Sequence, residues 1–217
     1  MKNILNYGAS NTWGFIPGSY DVAAQLALRY LPHERWAGVL QNELGADYHI
    51  IEEGLNGRTT QFDDIENNKP YRNGLSQLTV TLESHYPLDL IIFMLGTNDT
   101  KIQFQQSAEQ IAEGMRKLVQ VVKNSNKGPR GNAPKILIIA PQPMIDIREI
   151  NMQFDQQSVA KSEALAKYYE IVANQEKCEF LDAGLYVKSS MVDGVHLEKA
   201  ALQTLGKIVA QKIRTIF

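Results

Sequence analysis

The sequence has only one cysteine among its 217 residues, so no internal disulfide can form. Cys178 lies in the apolar run Cys178-Glu179-Phe180-Leu181, and we interpret it as a small buried residue rather than a nucleophile. No apolar run is long enough to span a bilayer, and the first residues lack the apolar region and cleavage site of a secretory signal. These absences are most simply explained by a cytoplasmic protein.

An excess of charge of one sign is also absent, because 22 lysine and arginine residues are balanced by 24 aspartate and glutamate residues. A net charge of −2 gives no electrostatic indication of binding to nucleic acid or to an anionic membrane. His33, His49 and His85 have no metal-ligand spacing relative to cysteines or carboxylates, which predicts that no metal is bound. The length favours one domain that spans residues 1–217.

Five short apolar runs alternate with helical patterns along the chain. The runs are typical of buried strands and cover residues 3–7, 48–51, 88–95, 135–140 and 179–181. Apolar residues recur at helical spacing over residues 36–44, 107–123, 158–174 and 199–213. This alternation predicts an α/β fold with a parallel sheet between two layers of helices. Residues 17–32 do not fit the alternation, and their Ala-rich part, 22–28, suggests a short inserted helix.

In such a sheet, ligands bind beyond the C-terminal ends of the strands, so the residues that follow each run are candidate functional residues. Ser10 follows the first run in Gly8-Ala9-Ser10, where a tight strand-to-helix turn leaves backbone N–H groups free. Gly57 follows the second run and permits a sharp turn with exposed amides. Asn98 follows the third run, where a neutral side-chain amide can stabilise an oxyanion. Each feature taken alone also fits an ordinary turn or a helix cap.

Asp193 and His196 lie three residues apart, just before the last helical pattern. In this arrangement the carboxylate can orient one ring nitrogen while the other nitrogen faces a nucleophile, although a capping aspartate beside an incidental histidine fits equally well. Together, the four segments supply a hydroxyl, exposed amides, a neutral donor and a carboxylate-paired base. These are the components of acyl transfer through a covalent ester.

The same four segments resemble the sequence blocks of the SGNH/GDSL hydrolase superfamily. The matching residues, in chain order, are Gly8-Ala9-Ser10, Gly57, Gly96-Thr97-Asn98-Asp99 and Asp193-Gly194-Val195-His196. Within the superfamily the chain is similar to the branch of small arylesterases and acyltransferases. That similarity lies in Ser10-Asn11-Thr12-Trp13-Gly14, Glu34-Arg35-Trp36, Glu53-Gly54-Leu55 and Arg58-Thr59-Thr60.

The resemblance implies a flavodoxin-like three-layer α/β/α sandwich with a five-stranded parallel sheet, no cofactor, and assembly into a homo-oligomer. It implies that Ser10 is the nucleophile, His196 the general base and Asp193 the partner of the base. The oxyanion would be held by the backbone N–H groups of Ser10 and Gly57 and by the side chain of Asn98.

One position departs from the family pattern, because Ala9 stands where the first block normally has an aspartate. That aspartate is not part of the triad, and its expected role is to hold the turn and the oxyanion loops through hydrogen bonds. Ala9 cannot form them. Its presence therefore implies either reduced activity or another polar group that takes over this role.

The sequence predicts a carboxylic ester hydrolase that acts on short acyl or aryl esters, with transfer of the acyl group to another alcohol as a variant of the same chemistry. Sugar O-deacetylation and lysophospholipid hydrolysis also fit, although no membrane-seeking amphipathic segment supports a long-chain lipid substrate. A ligand-binding protein impaired by Ala9 is the main alternative. A nucleotide-binding protein is disfavoured because the first turn lacks the GxGxxG and P-loop patterns. Trp13 and Phe104 are candidates for the walls of an acyl or aryl pocket, although packing in the core explains them equally well. Arg58 could approach the site but is better explained by an ion pair.

Overall fold

The computed structural model describes residues 1–66, 69–146 and 153–217. Its centre is a five-stranded parallel sheet in the order β2-β1-β3-β4-β5. The five expected strands are therefore all present, although their ends differ by up to three residues from the apolar runs. The strands are β1 (Lys2–Gly8), β2 (Tyr48–Gly54), β3 (Leu90–Met94), β4 (Lys135–Ala140) and β5 (Glu179–Asp182).

Helices cover both faces of the sheet, which confirms the three-layer α/β/α sandwich. Helices α2 and α6 pack on one face, where Trp36 and Leu205 meet Ile4 and Leu137. Helices α3, α4 and α5 pack on the other face. No helix in the described ranges has the length and apolar character needed to cross a membrane. The α-helices are α1 (Ser10–Trp13), α2 (Trp36–Leu44), α3 (Gly74–His85), α4 (Ala108–Lys123), α5 (Gln156–Glu176) and α6 (Lys199–Ile216).

Local sequence explains where the two long helices of the second layer begin. Ser107 accepts a hydrogen bond from the backbone N–H of Gln110, whose side chain bonds back to Ser107, and this capping box starts α4. Asp155 and Ser158 form the equivalent reciprocal pair at the start of α5. The apolar stripe of α4 then faces the sheet. The near-continuous apolar sequence of β3 follows from its position, because all five of its residues are buried between the two helical layers.

The strand order creates a crevice between β1 and β3, because the chain leaves β1 toward β2 on one side and crosses to β3 on the other. Ligands bind at such a reversal, outside the carboxyl ends of the strands. Gly8, the last residue of β1, pairs with Gly54 of β2 and with Met94 of β3. The turns that follow these three strands therefore lie side by side.

Two local expectations were wrong or incomplete. Residues 22–28 form no helix; they belong to an arm, residues 15–31, with antiparallel bridges between Phe15 and Arg29 and between Asp21 and Leu26. Polar side chains such as Asp21 and Ser19 accept hydrogen bonds within this arm, which favours turns over a helix. Helix α3 was not predicted, because only three of its residues are buried and its apolar stripe is correspondingly narrow.

Cys178 is partly buried and packs against the core beneath α4 and α5. Burial raises the pKa of its thiol to about 11, with a smaller opposing effect from Lys123. The side chain is therefore a neutral thiol at physiological pH. This supports its interpretation as a packing residue.

Candidate active site

Ser10 is presented at the first turn of α1, directly beyond the end of β1. The turn is tight because a Cβ on Gly8 would lie 2.1 Å from Thr12 Oγ1, and one on Gly54 would lie 2.2 Å from the backbone nitrogen of Trp13. Glycine at both positions lets this short helix lie directly on the sheet edge. Gly14 then ends the helix in the left-handed conformation (φ 91°), with its N–H bonded to Ser10 O.

A chain of hydrogen bonds joins Ser10, His196 and Asp193. Ser10 Oγ lies 2.9 Å from His196 Nε2, and His196 Nδ1 lies 2.8 Å from Asp193 Oδ2. All three side chains are largely buried but not sealed from solvent, since the side chains of His196 and Asp193 keep 16% and 14% of their surface exposed. The structure therefore brings together three residues that the sequence predicts to act as a unit. The imidazole is placed to accept the hydroxyl proton on one nitrogen while it donates to the carboxylate from the other.

The Asp193 carboxylate is held in its charged form. Its Oδ1 accepts the backbone N–H groups of Val195 and His196 at 3.0 and 2.9 Å, and its Oδ2 also accepts the N–H of Gly18 at 3.2 Å. Burial alone would raise the pKa of Asp193, but the hydrogen bonds from the His196 side chain and from the backbone N–H groups of His196 and Val195 outweigh it and lower the pKa to about 2. The carboxylate is consequently ionised at any pH at which the protein is expected to work.

The loop that carries His196 is fixed to the segment that carries Ser10. Asn11 Oδ1, in α1, accepts the backbone N–H of Leu197 at 2.9 Å in a buried position. On the other side, the backbone carbonyl of Val195 accepts a hydrogen bond from the Gln142 side chain at 2.9 Å. The Ser10–His196 distance is thus set by neighbouring contacts as well as by the bond itself.

Three candidate oxyanion donors follow β1, β2 and β3. Among the described residues, the backbone N–H groups of Ser10 and Gly57 donate to no protein acceptor. Gly57 adopts a left-handed conformation (φ 80°), which requires glycine and turns this part of the chain sharply. The buried side chain of Asn98 donates one hydrogen bond from Nδ2 to the carbonyl of Arg58 at 3.1 Å. That contact orients the amide and leaves a second Nδ2 hydrogen for another acceptor.

Arg58 is buried and connects the turns after β1 and β2. Its Nη1 donates to the carbonyl of Gly8 at 3.1 Å and to the carbonyl of Glu53. Its guanidinium lies 4.0 Å from the centroid of the Tyr7 ring, and Nη2 lies 4.0 Å from Glu53 Oε2. The ion pair expected from the sequence is present. It accompanies hydrogen bonds to the backbone carbonyls of Gly8 and Glu53, which connect the ends of β1 and β2 in a way that Ala9 cannot.

Asp99 provides a second connection between turns that carry candidate oxyanion donors. Its carboxylate is fully buried and accepts the backbone N–H of Thr60 at 2.9 Å and the Thr60 hydroxyl at 2.5 Å. Burial raises the pKa of Asp99 to about 7, and the Thr60 hydrogen bonds oppose that effect only in part. The segment after β3, which holds Asn98, is thereby fastened to the segment after β2, which holds Gly57. The contact between Asp99 and Thr60 could not be inferred from the sequence.

Ala9 is buried among apolar residues on the side of the sheet covered by α3 to α5. No side chain caps the start of α1, and the carbonyl of Ala9 accepts the N–H groups of Thr12 and Trp13 instead. The turn is therefore held by backbone contacts. Arg58 and Asp99 supply the polar connections between the turns that follow the strands. These connections do not depend on an acidic side chain at position 9.

The two candidate pocket residues contact other neighbours. The Trp13 ring lies beneath the guanidinium of Arg29, 5.0 Å from its centroid, and the Phe104 ring stacks on Phe62 at 5.2 Å. Phe15, in contrast, lies parallel to the imidazole of His196 with ring centroids 3.9 Å apart. Sequence reasoning missed Phe15. The one sequence feature that could have pointed to Phe15 is its position five residues after Ser10.

No group of three or more histidine, cysteine, aspartate or glutamate side chains within residues 1–66, 69–146 and 153–217 is arranged to hold a metal ion. His85 instead contacts Glu53, with Nε2 3.0 Å from Oε1.

Comparisons with known proteins identify a family and similar solved structures. The model of the GDSL-like Lipase/Acylhydrolase family matches residues 7–203. A carbohydrate acetylesterase from Sinorhizobium meliloti is 39% identical, with a TM-score of 0.91 and full coverage of both chains. An aryl esterase from M. smegmatis is also 39% identical, with a TM-score of 0.92 and full coverage of both chains. No curated protein matches the sequence significantly.

Proposed function

The chain belongs to the GDSL-like lipase/acylhydrolase family and is a carboxylic ester hydrolase, and on that premise we propose that it cleaves small esters through an acyl-enzyme on Ser10. The observation that carries this proposal is the continuous hydrogen-bond chain from Asp193 through His196 to Ser10, with distances of 2.8 and 2.9 Å. A hydroxyl is a weak nucleophile at its own pKa and needs an adjacent base, which this chain provides.

In the first half-reaction, Ser10 Oγ bonds to the ester carbonyl carbon while its proton passes to His196 Nε2. The ionised carboxylate of Asp193 stabilises the imidazolium that forms. His196 then returns the proton to the ester oxygen as the bond between that oxygen and the carbonyl carbon breaks. The alcohol leaves, and the acyl group remains on Ser10.

In the second half-reaction, water attacks the acyl carbon and gives a proton to His196. The bond to Ser10 Oγ breaks, Ser10 recovers the proton, and the carboxylic acid departs. An alcohol in place of water would give a new ester by the same steps. Both tetrahedral intermediates carry an oxyanion, and we assign its stabilisation to the N–H groups of Ser10 and Gly57 and to Nδ2 of Asn98.

The proposed substrates are short acyl esters of aromatic alcohols or of sugars. The two similar structures support this range, since one is an aryl esterase and the other a carbohydrate acetylesterase. A series of p-nitrophenyl esters of increasing acyl length, compared with acetylated xylose, would rank these classes. We expect acetate to be the best acyl group, and a preference for chains of eight or more carbons would contradict the proposal.

Replacement of Ser10 by alanine tests the mechanism directly. Ser10→Ala should lower kcat for p-nitrophenyl acetate by roughly 10⁶-fold, because the nucleophile and base act as a unit. Ser84→Ala, at an exposed position on α3, is the matched control and should retain the parent rate. A fluorophosphonate should label the parent at Ser10 and leave Ser10→Ala unlabelled. If Ser10→Ala kept the parent rate, the mechanism would be wrong.

We also propose that the protein forms a homo-oligomer through the arm. Val22, Leu26 and Leu28 keep 77%, 67% and 65% of their surface exposed, and clustered apolar exposure of this kind is typical of an interaction surface. Light scattering should give a mass at least twice that of the 24.4 kDa chain. Leu26→Glu with Leu28→Glu should reduce it to the monomer mass, whereas Val80→Glu, at a similarly exposed residue of α3, should not. A monomeric parent would refute this assembly.

A further inference from the structure

We propose that residues Phe15–Gly18, directly after α1, position the acid and base of the catalytic unit: the Phe15 ring fixes the imidazole plane and the Gly18 N–H fixes the carboxylate. This inference rests on the proposed function, because it assigns a positioning role toward His196 and Asp193. The proposed nucleophile and the residues that support its base then belong to one continuous segment of nine residues, Ser10–Gly18.

Phe15 lies face to face with His196. The two ring centroids are 3.9 Å apart and the ring planes differ by 17°. Phe15 is itself fixed from the α1 side, since its N–H donates to the carbonyl of Ser10 at 3.0 Å and its backbone forms a bridge with Arg29. A rotation of the imidazole about its bond to Cβ would therefore bring the edge of the imidazole against the face of the Phe15 ring. The stack keeps Nε2 directed at Ser10 Oγ and Nδ1 at Asp193.

The stack also favours the charged state that the reaction requires. When His196 accepts the Ser10 proton, its ring becomes a cation against the electron-rich face of Phe15. Such contacts are attractive, more so where water is excluded, and Phe15 keeps only 9% of its surface exposed. The effect acts after proton transfer, so it stabilises the transition state more than the resting enzyme.

The buried ring of Phe15 lies outside the main apolar clusters of the interior. The ring belongs to none of the three apolar clusters that form the interior of the described chain. Its aromatic contact is the imidazole, which is a polar, titratable group. A buried aromatic side chain outside every core cluster and against a candidate general base points to a role in the site.

Gly18 supports the other end of the pair. Its N–H donates to Asp193 Oδ2 at 3.2 Å, and the same oxygen accepts from His196 Nδ1 at 2.8 Å. Gly18 has a positive φ of 71°, and a Cβ there would lie 2.6 Å from Val192 Cγ1. Glycine thus lets the backbone of the arm approach the carboxylate closely. The carboxylate oxygen that orients the base is held from two directions.

The first test replaces Phe15 by leucine and by tyrosine. Phe15→Leu keeps an apolar side chain but removes the aromatic face, so kcat for p-nitrophenyl acetate should fall roughly tenfold with KM changed less than about twofold. Phe15→Tyr keeps the face and should restore kcat. Phe217→Leu, which removes an aromatic ring that contacts Tyr48, is the matched control and should keep the parent kcat. A loss confined to KM, or a fully active Phe15→Leu, would overturn the proposal.

A second measurement does not depend on turnover. A stacked aromatic ring shields the protons of the imidazole, so the His196 ring resonances in the NMR spectrum should move downfield in Phe15→Leu and stay in place in Phe217→Leu. Unchanged His196 resonances in Phe15→Leu would refute the positioning role even if Ser10→Ala were inactive. Displaced resonances together with an active Ser10→Ala would refute the proposed mechanism and leave the stack established.

Gly18→Ala tests the carboxylate contact, with Gly45→Ala as its control. Both glycines have nearly the same positive φ, 71° and 75°, but a Cβ at Gly45 meets no atom within 4 Å. The two variants should share the loss of thermal stability that a positive φ causes, and Gly18→Ala adds the close contact of its Cβ with Val192. Only Gly18→Ala should lose kcat, by several-fold. Equal kcat values in the two variants would show that the Gly18 contact does not matter for the reaction.

Discussion

One amide hydrogen of Asn98 is donated to the carbonyl of Arg58. This contact directs the second amide hydrogen toward the proposed oxyanion. Asn98→Ala should lower kcat for p-nitrophenyl acetate by about 10²–10³-fold, because removal of one oxyanion donor typically costs this much, and KM should change little. Asn174→Ala, at an exposed position on α5, serves as the control. A loss smaller than about threefold would exclude Asn98 as a donor.

Asp99 should make the stability of the protein depend on pH. Its pKa is about 7 in the folded protein and 3.8 in a freely solvated side chain, so between these values the folded state binds one more proton than the unfolded state. Stability from this group is therefore highest at low pH and is lost as pH rises toward 7, by up to about 1.4 kcal/mol per pH unit.

Asp99→Asn, which cannot titrate, should remove this dependence. Urea denaturation at pH values from 5 to 8 would give the free energy of unfolding of both proteins. We expect the parent to lose stability relative to the variant up to pH 7, and little further difference above it. Parallel curves over the whole range would mean that Asp99 is already ionised at pH 5.

At the residue level, the sequence predicts which side chains meet but not what supports them. Ser10, Asp193 and His196 can be placed together because parallel strands end at one edge of a sheet and because the spacing of Asp193 and His196 allows a direct contact. Phe15 and the Asp99–Thr60 pair could not be predicted, since those contacts join segments that approach only after the chain has folded. The role of Trp13 and Phe104 as pocket residues remains a prediction, because their rings contact Arg29 and Phe62.

Among the elements, α1 is sensitive to a small change in the neighbouring strand. A Cβ on Gly54 of β2 would meet the backbone nitrogen and Cα of Trp13 at 2.2 and 2.6 Å, and backbone atoms cannot give way as a flexible side chain can. Gly54→Ala should therefore displace α1, destabilise the protein by about 1–3 kcal/mol and lower kcat through the displacement of Ser10.

Gly131→Ala provides the comparison for this change. Its added methyl group meets no atom within 4 Å, and the residue lies in the loop before β4, at the opposite end of the sheet from Ser10. The positive φ of Gly131 should cost some stability, but kcat should remain that of the parent. Equal kcat in Gly54→Ala and Gly131→Ala would show that α1 tolerates the displacement.

The regular elements were predictable to the extent that burial imposes a pattern on them. Strands β3 and β4 are covered on both faces and read as unbroken apolar runs, and α4 and α6 each turn one apolar stripe toward the sheet. Helix α3 contributes few buried residues, so its sequence shows little of the apolar periodicity that predicts a helix. The arm was mistaken for a helix because the alanines in residues 22–28 favour helix intrinsically, whereas its hydrogen bonds to Asp21 and Ser19 decide its actual conformation.

At the scale of the whole molecule, we propose that residues 1–217 form one domain and predict that the chain unfolds in one step. The first strand is central in the sheet, and the last helix packs on α2 near the beginning of the chain, so neither end can detach without opening the core. Thermal unfolding followed by circular dichroism and by loss of fluorophosphonate labelling should give the same midpoint. Loss of labelling well below the main transition would indicate that the site opens separately.

Ser10 and His196, which share a hydrogen bond, are 186 residues apart in the chain. During synthesis, Ser10 is therefore made 186 residues before its base. At about 5–20 residues per second, the serine waits about 10–40 s for the imidazole. A nascent or truncated chain that ends before His196 therefore lacks the base and cannot attack the activated acyl groups of the cell, and esterase activity reports that synthesis has passed His196.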